Sequence, residues 1–266
     1  MKSKAVIFLL GIIITLLIIY NNHLLFFFQD YRLKKHITAL TPVYQTSGQS
    51  DKISFCNLQP YSKIWAHRVN TLERFLFLSD HFQGFEMDIV FDEQRNFFDI
   101  RHPPATSINL SFEKYLQAPE SKGKFFWLDL KNLTNGNVGA ILSSLRDLDN
   151  KYTIHQRIII ESNNILQLSK ISDAGYFTSY YYDWDSYRDF MNNGNETFTE
   201  AVFKKIDAVS QDVLIYDTLL KRFPFKPKLT WALSIKNYLS DSMFNALDND
   251  KGLLVYLVNV KSPQYR

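Results

Sequence analysis

Eight short apolar runs follow one another between residues 62 and 258, and most are separated by stretches with helical spacing of apolar residues. They are SKIWAH (62–67), GFEMDIVFD (84–92), KFFWLDLKN (124–132), RIIIES (157–162), GYFTSYYY (175–182), IDAVSQD (206–212), KLTWALS (228–234) and GLLVYLV (252–258). Helices are expected over 70–82 and near 137–149, 163–172, 197–204, 213–221 and 237–247. Alternation of strand and helix over this length argues for an α/β chain with a parallel sheet. Eight units argue for a closed (β/α)8 TIM barrel rather than an open doubly wound sheet. NFFDIRH (96–102) follows the second strand across a polar turn and reads as a hairpin extension. Little chain remains after the last strand, so the eighth helix is expected to be missing. No G-x-G-x-x-G follows the first strand and no G-x-x-x-x-G-K-[ST] occurs, which counts against nucleotide-binding folds.

The N-terminus divides the chain into parts. Lys2 and Lys4 precede an uncharged run from Ala5 to Tyr20; a polar break at 21–23 is followed by LLFFF and then Arg32, Lys34 and Lys35. No small-residue cleavage site follows, so the run reads as an uncleaved transmembrane helix, long enough to span a bilayer once the break is tolerated. The expected organisation is a membrane anchor with a basic flank (1–36), a polar linker (37–60) and a barrel domain (61–266). Basic residues flank the run on both sides; an anchor ahead of a large domain favours an extracytoplasmic, single-pass arrangement. The chain carries +3 overall, but outside residues 1–36 there are 25 basic and 26 acidic residues, a net of −1. No nucleic-acid partner is expected from that balance. The single cysteine, Cys56, excludes an internal disulfide.

If the chain is a barrel, its chemistry belongs at the C-terminal ends of the strands. His67 ends the first strand, and His102 ends the hairpin strand. Glu86 and Asp88 sit at i and i+2 of the second strand, and Asp129 and Lys131 at i and i+2 of the third. Glu161 ends the fourth. Residues at i and i+2 of a strand point the same way, so the paired acids share one face and repel each other. A solvated acidic face would explain them; so would a divalent cation, because hard cations take oxygen ligands.

The order His67-Arg68, Glu86-x-Asp88, His102, Asp129-x-Lys131 resembles that of phosphodiesterases with a phospholipase-C-like barrel, among them glycerophosphodiester phosphodiesterases and sphingomyelinase D. WAHRVNTLERF, FEMDIVFD, RHPPATSINLSFEKYL and WLDLKN, over Trp65 to Asn132, look more closely like the menorin-like family of barrel domains. The resemblance implies that Glu86, Asp88 and Asp129 hold one divalent cation, Mg²⁺ or Ca²⁺. It implies that His67 and His102 exchange protons with the substrate. Lys131 would stabilise charge on the phosphoryl oxygens. Asn70 would bond a phosphate oxygen, or cap the helix opening at Thr71. Arg68 matches the His-Arg pair of glycerophosphodiesterases but is followed by Val69 where they have Gly, so its role is not carried over.

The function implied is that of a membrane-anchored, metal-dependent phosphodiesterase. Its partner would be a phosphodiester substrate such as a glycerophosphodiester or lysophospholipid. A non-catalytic extracytoplasmic binding or signalling domain is the alternative, since barrels host many functions. A glycosidase using Glu86 or Glu161 is disfavoured by the neighbouring histidines. Glu161 could be a further ligand, a base, or a buried acid paired with an arginine. Trp127 and Trp231 are expected inside the barrel, and GYFTSYYYDWDSY (175–187) either lines its mouth or packs as strand and loop. The remaining histidines, His23, His36, His81 and His155, form no metal-ligand spacing. The sequons at Asn109, Asn132 and Asn195 matter only in a glycosylating compartment.

Overall fold

The structure is a computed structural model that describes residues 63–183, 185–186, 198–213, 216–231, 247 and 249–259. The expected anchor, the linker, Cys56, Asn195 and most of the helix near 237–247 lie outside the described residues, as do residues 260–266. Among the described residues no helix is long and apolar enough to cross a membrane.

Nine strands are described: β1 (Ile64–Ala66), β2 (Gly84–Asp92), β3 (Phe97–Ile100), β4 (Phe125–Leu130), β5 (Ile158–Ser162), β6 (Phe177–Tyr181), β7 (Ala208–Asp212), β8 (Lys228–Trp231) and β9 (Leu253–Val258). Eight pair in parallel and close into a ring, because β1 joins both β9 and β2. β3 lies antiparallel on the far end of β2, with Ile89 opposite Ile100 and Asp92 opposite Phe97, as the hairpin extension predicts. The ring is an eight-stranded parallel α/β barrel of TIM type.

Six helices are described: α1 (Leu72–Leu78), α2 (Phe112–Gln117), α3 (Val138–Tyr152), α4 (Ile165–Asp173), α5 (Glu200–Lys205) and α6 (Tyr216–Arg222). Side chains of Thr71, Asn164 and Thr199 cap α1, α4 and α5 by accepting a backbone N–H three residues on. α2 was not legible as a helix in the sequence: it is short, and only Phe112, Tyr115 and Leu116 face the core.

Two apolar layers hold the ring. The outer one lies between strands and helices and includes Phe75, Phe85, Phe126, Leu128, Ile141 and Leu168. The inner one fills the barrel with Trp65, Trp127, Ile159, Phe177, Ala208, Leu229, Trp231, Val255 and Leu257. Trp127 and Trp231 meet edge to face with ring centroids 6.0 Å apart, inside the barrel as expected. Gly84 makes room for this layer: a Cβ there would lie 2.0 Å from Trp65 Cδ2. Tyr181 packs on Trp231 with centroids 5.2 Å apart, while Tyr180 and Tyr182 belong to the outer layer. The described part of the 175–187 stretch is therefore packed strand rather than an open aromatic surface.

Candidate active site

The polar residues sit one step above the inner apolar layer. Strand side chains repeat every two residues, so each apolar residue of the barrel floor has a successor two positions on that faces the same way. On β1 the successor of Trp65 is His67; on β4 that of Trp127 is Asp129; on β5 that of Ile159 is Glu161. On β6 Phe177 is followed by Ser179, and on β7 Ala208 by Ser210. Cross-strand register sets Asp88 beside Asp129, Asp129 beside Glu161, and Glu161 beside Ser179. A row of carboxyl groups thus crosses three strands at the C-terminal face, where this fold carries its chemistry.

Glu86, Asp88 and Asp129 each bring a carboxylate oxygen to one point: the three atoms lie within 4.8 Å of one another. Oxygen donors converging from two adjacent strands suit a hard divalent cation, which takes oxygen ligands. Lys131, two residues after Asp129, reaches into the same cluster. Its Nζ lies 2.8 Å from Asp88 Oδ1 and also donates to Asp129 Oδ2. Asn70 does not cap α1; Thr71 does. Instead Asn70 Nδ2 donates to Asp88 Oδ2 at 2.7 Å, while Asn70 Oδ1 accepts the Asp88 N–H at 3.0 Å.

The turn after β1 is bent to serve Glu86. Arg68 has φ 54, in the left-handed region, which costs a residue with a Cβ about 1–2 kcal/mol. This turns its N–H onto Glu86 Oε2 at 2.7 Å, and the Val69 N–H reaches the Glu86 carbonyl at 2.8 Å. The Arg68 side chain is exposed. Arg68 thus meets Glu86 through its backbone.

His67 is 5% exposed, its Nε2 is 3.6 Å from Glu86 Oε2, and its Nδ1 has no hydrogen-bond partner among the described residues. At 3.6 Å the Glu86 contact is electrostatic rather than a hydrogen bond. Burial, and then the Arg68 charge, push the imidazole down to about 3, so the ring is neutral near pH 7. His102 lies on the exposed loop after β3, and its Nδ1–H donates to the Pro103 carbonyl at 2.5 Å. That bond engages Nδ1 and leaves Nε2 as the ring nitrogen not used by it. The loop is tied to the site by the Arg101 N–H, which reaches the Asp88 carbonyl at 3.0 Å. A proton on the His102 ring would favour the ionised forms of both Asp88 and Asp129.

Burial sorts the acids. Glu86 is pushed well above the usual carboxylate range by burial and then by the negative charges of Asp88 and Asp129. For Asp88 burial is again the largest influence, but the Lys131 ammonium and the bonds from Lys131 and Asn70 outweigh it and hold the group below its ordinary value. Asp129 is raised by burial despite Lys131. Lys131 itself is raised, because the two carboxylates more than offset its own burial.

Among the described residues no arginine pairs with Glu161. Its Oε2 accepts a hydrogen bond from Ser210 Oγ, and burial next to Asp129 pushes its carboxyl well above the usual range. Ser210 was not singled out in the sequence. Its only signal was parity: it follows the floor residue Ala208 by two positions.

No family model matches the chain, and no curated protein does. Solved structures do. A provisionally named glycerophosphodiester phosphodiesterase from Galdieria sulphuraria superposes with a TM-score of 0.52 at 15% identity, over 74% of this chain and 93% of that one. A glycerophosphodiester phosphodiesterase from Thermotoga maritima gives 0.51 at 13% identity, over 73% and 93%. A provisionally named glycerophosphoryl diester phosphodiesterase from Silicibacter pomeroyi DSS-3 gives 0.51 at 13%, over 73% and 89%. The barrel is thus of the kind found in these phosphodiesterases; at such identities the likeness is one of fold.

Proposed function

We propose that the chain is a metal-dependent phosphodiesterase of the menorin-like branch of the phospholipase-C-like barrels, acting on a glycerophosphodiester, lysophospholipid or related phosphodiester. The observation that carries this is the convergence of Glu86, Asp88 and Asp129 within 4.8 Å at the C-terminal face, with Lys131 bonded into the cluster and His67 against Glu86. The stretches WAHRVN and HPPAT, which carry the menorin resemblance, flank that cluster: His67 and Asn70 come from one and His102 from the other.

Glu86, Asp88 and Asp129 would hold one divalent cation, Mg²⁺ or Ca²⁺. Such an ion, when bound, supplies positive charge to the phosphoryl oxygens. The protein does the rest. One histidine takes the proton of the attacking water or substrate hydroxyl as the P–O bond forms. The other gives a proton to the departing alkoxide as the old P–O bond breaks, and the roles reverse if a cyclic phosphate is then opened. A phosphodiester anion beside His67 raises its basicity, opposing the effect of burial. Lys131, and the Asn70 amide N–H not used on Asp88, would stabilise the growing charge on phosphorus-bound oxygens. Residues 1–36 would tether the barrel to a membrane through a single span, with residues 37–60 as a spacer and the barrel on the extracytoplasmic side.

One observation favours the second reading, a non-catalytic binding or signalling domain: Lys131 already neutralises part of the acid cluster. Turnover decides. The full chain in detergent would be incubated with glycerophosphodiesters and lysophospholipids, with Mg²⁺, with Ca²⁺ and with chelator, beside His67→Ala. Metal-dependent turnover that His67→Ala abolishes is expected. Folded protein that neither binds metal nor turns over any of the panel would overturn the enzyme reading.

A further inference from the structure

Lys131 occupies the side of the acid cluster that a cation needs. Of the two Asp88 oxygens, Oδ2 is taken by the Asn70 amide at 2.7 Å, and Oδ1 by the Lys131 ammonium at 2.8 Å. The same ammonium donates to Asp129 Oδ2. One Glu86 oxygen is held by the Arg68 N–H at 2.7 Å. A divalent cation held by these carboxylates would compete with Lys131 for the same oxygens, and the like charges would repel each other.

The backbone of Lys131 is fixed. Its N–H donates to the Ile89 carbonyl at 2.9 Å, continuing the β2–β4 ladder one residue past Leu130. Beyond that anchor runs a flexible four-carbon stem, and the side chain is partly exposed. An ammonium displaced from Asp88 and Asp129 would therefore remain tethered beside the cluster.

We propose that Lys131 is a resident counter-ion which a divalent cation has to displace, and that displacement delivers its ammonium to the anionic phosphate of the substrate. The inference rests on the cation-binding reading given above. Two properties follow. Cation affinity is lower than the three carboxylates alone would give, and binding is ordered, cation before phosphate. The site then holds its phosphate ligand only when loaded.

The test uses the full chain in detergent, with Mg²⁺ and inorganic phosphate as probes. In the wild type, acetylation of Lys131 by acetic anhydride is followed by mass spectrometry, in chelator and in saturating Mg²⁺. Severalfold faster labelling in Mg²⁺ is expected; an unchanged or slower rate overturns the exchange. Mg²⁺ binding is then measured calorimetrically for the wild type and Lys131→Met, which keeps the stem and drops the charge. About tenfold tighter Mg²⁺ binding by the variant is expected, the scale on which groups around a metal change its affinity. The variant's Mg²⁺-loaded form should also bind phosphate more weakly. Equal Mg²⁺ affinity in both proteins overturns the exchange while leaving the cation site standing. Failure of folded wild type to bind Mg²⁺ or Ca²⁺ overturns both readings together. Should Lys131→Met not fold, the wild-type labelling decides alone.

Discussion

Asn70 grips Asp88 at both ends: its amide nitrogen donates to Oδ2 at 2.7 Å, and its amide oxygen accepts the Asp88 backbone N–H at 3.0 Å. The side chain and the main chain of Asp88 are thereby fixed relative to each other by one residue of the β1–α1 turn. Groups that orient a metal-binding carboxylate typically change metal affinity by about 10–100-fold when removed. Asn70→Ala is expected to weaken Mg²⁺ binding within that range. It should also lower stability by about 1–3 kcal/mol, since it leaves a buried donor and acceptor without partners. Calorimetric Mg²⁺ titration and a denaturant melt check the two effects separately. A change in phosphate binding alone would instead assign Asn70 only to the substrate.

Gly84 is required by Trp65. The Cβ of an alanine at 84 would meet three indole atoms between 2.0 and 2.4 Å away. Trp65 is fully buried in the barrel floor beside Phe125, so it has little room to retreat. Gly84→Ala is expected to destabilise by about 1–3 kcal/mol through overpacking. Adding Trp65→Leu should recover part of that loss, a non-additivity measurable by a double-mutant cycle. Simple additivity of the two substitutions would disprove the steric account.

Glu161 makes stability depend on pH in an unusual direction. Its folded carboxyl is raised well above 4.5 by burial and then by the Asp129 charge. Above 4.5 the unfolded chain has lost this proton while the folded protein keeps it. Stability therefore falls as pH rises from 4.5 toward the raised value, by at most about 1.4 kcal/mol per pH unit from this one group. Glu161→Gln keeps the shape and removes the charge. In chelator its melting temperature should exceed that of the wild type at pH 8, and the gain should shrink and vanish below pH 4.5. A constant offset across pH would show that Glu161 is already ionised in the fold.

The barrel was legible because each strand of a closed parallel ring is buried on both sides, giving near-continuous apolar runs such as RIIIES and GLLVYLV. The acids of β2 and β4 were legible because they interrupt such runs at i and i+2, and parity then fixes the face. What parity cannot supply is the partner across the chain. Asn70 and Asp88 are 18 residues apart, and Glu161 and Ser210 are 49 apart. An asparagine before a helix is by local rules a cap, and here the adjacent Thr71 takes that role. A buried glutamate without a partner suggests an arginine, and a serine supplies the bond. Nor does sequence announce that Arg68 adopts a positive φ, since a non-glycine residue there goes against its own preference. Short α2 escaped because six residues hold too few apolar positions to define a period.

The two histidines should separate in their effects on folding while agreeing in their effects on catalysis. His67 lies in the barrel mouth against Glu86, 5% exposed, and is the residue that follows Trp65 on the inward face of β1. His102 is on the exposed loop, and its ring bonds locally, to the next residue's carbonyl. Removing an exposed side chain with only local contacts changes stability by within about 0.5 kcal/mol. Truncating a buried ring leaves a cavity and costs more, by about 1–3 kcal/mol for a polar group of this size. His102→Ala should therefore melt like the wild type, and His67→Ala several degrees lower. If both act as proton donor and acceptor, each substitution lowers kcat by about 10²–10⁴-fold, the usual contribution of one such group. The measurement is a melt and a kcat for each variant on whichever phosphodiester the wild type turns over. A His102→Ala enzyme with unimpaired kcat would remove His102 from the chemistry and leave His67 to act with water alone. A His67→Ala enzyme restored to full activity by lowering the assay temperature would show instead that the buried ring only holds the fold.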